Sequence, residues 1–97
     1  MNVLVVDDGT SLRGYDCGDV MGIEEIPSPP GTGDRAEFLV RLGRLGNPKG
    51  VRCREIVGFY SFAEPDVHPL PQVVKERMTG EVPWGVGITE RGLCLLY

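Results

Sequence analysis

The chain has 97 residues, 41% of them apolar and 25% charged, with a net charge of −4. That suffices for one packed core over residues 1–97 and leaves no room for a second. No apolar run reaches the ~18 residues that a membrane-crossing helix needs, and the first residues lack the basic and apolar regions of a signal peptide.

The first predicted element is a strand at residues 3–6, where Val3, Leu4, Val5 and Val6 are all apolar. Two acids, Asp7 and Asp8, follow, then Gly9, Thr10 and Ser11. The stretch "VLVVDDGTSLR" resembles the first strand and acidic pair of a response-regulator receiver domain. A receiver also implies a phospho-accepting Asp at the end of a later central strand and a strand-end Lys. Here the best matching strand, "EIVGFYSF", ends without an Asp, and the only lysines are Lys49 and Lys75. The acids therefore read as an Asp-Gly turn, and replacing both with Asn is expected to change stability little.

Residues 21–26 can form a further strand. "IPSPPGTGDR", residues 26–35, holds three prolines and two glycines and reads as a surface loop. Residues 35–46 admit a helix, with Asp34 as its cap, or the first arm of a hairpin that turns at residues 46–50. The hairpin is preferred, because Gly43 weakens a helix interior and residues 51–62 are rich in β-formers. Pairing Leu45 with Val51 sets Arg41 opposite Glu55 and Arg44 opposite Arg52. "PLPQVVKERMTG" reads as a short helix, and residues 86–89 and 93–96 as two strands around a tight turn. The apolar end "GLCLLY" calls for a strand that is central or covered by a partner. The expected fold class is α+β: a small β-rich domain of about five or six short, mostly antiparallel strands with one or two short helices.

Charge is unevenly spread. Residues 1–34 hold seven acids and one base, residues 35–62 six bases and two acids, and residues 63–97 five acids and three bases. The basic middle gives the main functional lead. Arg44, Lys49, Arg52 and Arg54, with the lone Trp84, form the expected ligand-binding set, aided by the loop around Pro29. Internal neutralisation of the basic middle by the acidic first third is the competing account. Nucleic acid is disfavoured, because the chain is acidic and no stacking aromatics alternate with these bases.

"EPDVHP" places Glu64, Asp66 and the single His68 at alternate positions, which an extended chain would turn to one side. This is the only opening for a small hydrolase or metal-dependent enzyme. A polar loop bracketed by prolines accounts for it more simply. No GxSxG elbow is present, and "GTGDR" is not followed by the GK[ST] of a P-loop. Cys17, Cys53 and Cys94 are too far apart in sequence for a zinc pattern or a disulfide framework. They are expected as free thiols, two of them buried, in a reducing compartment. The sequence thus points to a cytoplasmic, non-enzymatic binding or regulatory module with no cofactor. It would act as a homodimer that recognises a partner protein or a small anionic, nucleotide-like ligand.

Overall fold

Strand β1 (Asn2–Asp7) is the centre of the architecture, because Val3, Leu4, Val5 and Val6 are all fully buried. Alternate side chains on a strand point to opposite faces, so a strand buried at four successive positions must be covered on both sides. The computed structural model, which describes residues 1–27, 37–44 and 47–97, shows how this is done. Leu4 and Val6 join Tyr15, Val40, Leu42, Val51, Cys53 and Tyr97 in one apolar cluster. Val3 and Val5 join Leu12, Phe62, Cys94 and Leu96 in a second.

Two sheets build these layers. The larger has the order β6-β1-β2-β9-β8-β7, with β2 (Leu12–Asp16), β6 (Glu55–Ser61), β7 (Val67–Pro69), β8 (Gly85–Thr89) and β9 (Gly92–Leu96). The smaller has the order β3-β4-β5, with β3 (Val20–Ile26), β4 (Glu37–Arg44) and β5 (Asn47–Cys53). Every pairing is antiparallel except β2 with β9. The first cluster lies between the sheets; the second fills the other face of the larger one. Two 3-10 turns, Cys17–Asp19 and Glu64–Asp66, and one helix, α1 (Gln72–Arg77), complete the described residues. No helix among them is long and apolar enough to cross a membrane.

The fold is more β-dominated than the sequence indicated: the described residues form nine strands and a single six-residue α-helix, in place of five or six strands in an α+β domain. The surplus has a physical origin. Residues 51–62 are not one arm but two, because the chain breaks at Arg54 and passes from the small sheet to the large one. Strand β7 has too few residues for alternation to be visible, and β2, LRGYD, has only Leu12 and Tyr15 as large apolar residues, at a spacing that is not alternate. The strands expected at residues 3–6 and 93–96 do lie in the larger sheet, as does the later part of the β-rich stretch 51–62, and β9 is central, between β2 and β8.

The hairpin over residues 37–53 is present, but its register differs from the expected one. Val40 faces Val51, Arg41 faces Gly50, and Arg44 faces Asn47. Arg44 therefore does not oppose Arg52, which sits beside Leu39, and Arg41 does not oppose Glu55. This register keeps Val40, Leu42, Val51 and Cys53 on the face that meets the larger sheet. A one-residue slip of β5 against β4 would turn Val51 and Cys53 to solvent. Burial of the apolar face fixed the register; the charge pattern did not.

A candidate interaction surface on the large sheet

The residues expected to bind an anion are spread over the small sheet. Lys49 and Arg52 are three positions apart on β5, which sends them to opposite faces. Lys49 forms an ion pair with Glu81, while Arg52 approaches Glu37 at 3.9 Å. Arg54 lies just past the strand; its backbone N–H donates to the Asp7 carbonyl at 2.8 Å and its side chain lies over Gly9. Trp84 precedes β8 and is 44% exposed, with its N–H donating to the Leu96 carbonyl at 2.8 Å. The side chain of Arg44 and the loop around Pro29 lie outside the described residues.

Glu64, Asp66 and His68 do not share one extended face. The 3-10 turn Glu64–Asp66 interrupts the chain, and only His68 is in a strand. All three are exposed. Among the described residues no group of three or more His, Cys, Asp or Glu side chains is arranged to hold a metal. Cys53 and Cys94 are buried and all three cysteines are free. Burial pushes the Cys94 thiol up to about 11, and burial first, then Asp7, Asp8 and Glu37, raises that of Cys53. Both remain protonated near neutrality and are poor nucleophiles.

The acidic turn after β1 is a closed local network. Asp7 accepts the Gly9 N–H at 2.8 Å. Asp8 accepts the Thr10 and Ser11 N–H groups and the Thr10 hydroxyl, each at 2.8 Å, and pairs with Arg13 Nε at 2.7 Å. Partial burial pushes the Asp8 carboxyl up. The hydrogen bonds from Thr10 and Ser11, aided by the Arg13 charge, outweigh it and bring the pKa to about 2. Arg13 is held in turn against the Tyr97 ring, 5.2 Å from its centroid. A turn is therefore the right reading of the two acids, and Asp8 is the more heavily bonded of the two.

A carboxyl with a depressed folded-state pKa stabilises the fold above its unfolded value and loses that contribution as pH falls through its folded one. Stability should decline between about pH 4 and about pH 2 as Asp8 is protonated. Asp8→Asn should cost about 1–2 kcal/mol at neutral pH and flatten this part of the profile, as read by urea unfolding across that range. An unchanged profile in the variant would show that other carboxyls carry the acid sensitivity.

A further surface lies on β8 and β9, where the apolar end called for a strand that is central or covered by a partner. Ile88 faces Leu93 and Val86 faces Leu95 across these strands, and directly opposed residues share a face. Cys94 and Leu96 point into the core beneath, so these four side chains take the other side. Leu95 packs partly against the core between the sheets. Farther out, Ile88 is 53% and Leu93 65% exposed. The hairpin tip is fastened down: Arg91 bonds Glu55 at 3.1 Å and approaches Asp7 at 3.6 Å, and the Tyr60 hydroxyl donates to Glu90 at 3.1 Å. An apolar patch thus stands beside a set of surface ion pairs and hydrogen bonds at the hairpin tip.

The fold is similar to that of the scaffolding protein TtCheW from Thermoanaerobacter tengcongensis. The likeness to TtCheW has a TM-score of 0.72 at 16% identity and covers 98% of this chain and 86% of that one. At that identity it is a likeness of fold. No family model and no curated protein matches the chain. The apolar run "GLCLLY" was the available signal for the patch, since a central strand with only one buried face would carry polar residues at 93 and 95.

Proposed function

We propose that this protein is a non-enzymatic scaffold that holds a partner protein against the face of the β8–β9 hairpin that carries Ile88 and Leu93. The uncovered cross-strand pair of Ile88 and Leu93 carries this reading, because large apolar side chains on a pinned hairpin fit a contact surface better than a solvated one. The resemblance to a scaffolding protein over almost the whole chain supports it. The separation of Lys49 and Arg52 onto two faces favours an extended acidic protein surface over a small nucleotide-like anion as the partner of the basic strand.

The test uses a photo-crosslinking residue placed at position 88 or 93, with a control at Glu64, in cells that naturally make the protein. A discrete crosslinked protein from positions 88 and 93, absent from position 64, is expected. Leu93→Glu with the crosslinking residue at position 88, and Ile88→Glu with it at position 93, should each abolish that adduct while leaving the melting temperature within about 3 °C, because both side chains are already exposed. The same adduct from either of these variants, or none from either position without them, would overturn the proposal.

A further inference from the structure

The small sheet ends in two strands that carry opposite charge. Its outer strands β3 and β5 have the same length, seven residues, and each pairs only with β4 among the described strands. Strand β3, VMGIEEI, has two acids and no base; β5, NPKGVRC, has two bases and no acid. We infer that the acidic edge of β3 in one copy of this chain pairs with the basic edge of β5 in another, giving head-to-tail self-association.

Three observations support this. An edge strand offers unpaired N–H and C=O groups to a second chain, and natural edges are guarded by charge and proline. Like charges guard against like edges: β3 against β3 would oppose Glu24 and Glu25 to themselves, and β5 against β5 would oppose Lys49 and Arg52 to themselves. Only the mixed pairing brings opposite charges together. Secondly, the charged side chains are accessible. Glu24 is 54%, Lys49 50% and Arg52 72% exposed, and their present partners Arg41, Glu81 and Glu37 are themselves at the surface, so these pairs exchange readily. Glu25 is exposed and has no ion-pair partner among the described residues. Thirdly, the other strand edges are less suited. β7 is three residues long and ends in Pro69, and β6 carries a register shift opposite Val5 and Val6. Pro48, which has no N–H, restricts the useful part of β5 to residues 49–53.

β3 and β5 both run antiparallel to β4 and so parallel to one another. The two contacting surfaces differ, and such an interface forms rings where its rotation closes and open rows where it does not. This association is separate from the β8–β9 face, and its test does not depend on the scaffold reading.

Sedimentation velocity of the purified chain over a range of concentrations is the measurement. At about 20 mM salt the sedimentation coefficient should rise with concentration, and at about 500 mM association should weaken by about tenfold or more. Glu24→Lys with Glu25→Lys, and separately Lys49→Glu with Arg52→Glu, should each remain monomeric at low salt. Mixed in equal amounts, the two variants should associate again, because one then offers two basic edges and the other two acidic ones. Should either double variant fail to fold, Glu25→Lys, which breaks no ion pair among the described residues, should still weaken association. A wild-type chain that stays monomeric at low salt, variants that associate as well as wild type, or a mixture that stays monomeric would each overturn the inference.

Discussion

Gly14→Ala is expected to destabilise the fold by about 2–3 kcal/mol, although it adds one methyl group. Gly14 sits in β2 between β1 and β9, opposite Val5 on one side and Leu96 on the other. A Cβ there would stand 2.6 Å from Val3 Cγ1, 2.8 Å from Leu96 Cδ2 and 3.1 Å from Cys94 Sγ. Val3 and Cys94 are 0% exposed and Leu96 1%, so none has space to retreat into. The clash must be relieved by shifting β1 or β9, and both are paired on their two sides. Gly22→Ala is the control. A Cβ on Gly22 in β3 meets nothing within 4 Å, so that variant should be neutral or gain a few tenths of a kcal/mol. Urea unfolding of both variants checks this, and equal midpoints would show that the core between β1 and β9 yields more easily than its packing implies.

Leu4→Ala should remove about 3 kcal/mol, from lost burial and the cavity left behind. For a chain of this size that is a fall in melting temperature on the order of 15 °C. Leu4 is fully buried in the layer between the sheets, together with Tyr15, Val40 and Leu42. Its neighbour across the β1–β6 pairing is Phe59, which is 69% exposed. Phe59→Ala removes a larger side chain yet should cost under about 1 kcal/mol, because most of that ring is already in water. A thermal melt of the two variants separates burial from strand pairing. If both lose the same stability, the small sheet does not cover Leu4 in solution as it does here.

The strand at residues 3–6 was legible from its apolar run, and those within residues 51–62 and at 93–96 from their β-branched, aromatic and aliphatic composition, but burial of the first on both faces was not. The hairpin was visible too, but neither its turn, expected at residues 46–50 where β5 already begins at Asn47, nor its register was. Opposite-charge pairing at Arg41 and Glu55 favoured one alignment, and such exposed pairs are worth less than one buried valine. The packing of Val40 and Val51 against the larger sheet outweighed them. The site was less legible than the fold. Charge clustering along the chain drew attention to Lys49, Arg52 and Arg54, whereas the strand pleat and the break at Arg54 disperse them. The exposed pair of Ile88 and Leu93 could not be told from core residues by composition.

By itself the sequence determined a small β-rich domain with free buried thiols, and a chain whose acids and bases are segregated. These follow from local propensity, apolar runs and counting, which act over a few residues. Only the tertiary structure decided that residues 51–62 serve two sheets, that β2 and β9 lie parallel, and which face of the last hairpin remains uncovered. Each depends on contacts between residues far apart in the chain. The free energy of burying an apolar face depends on what arrives to cover it, and that partner has no local signature.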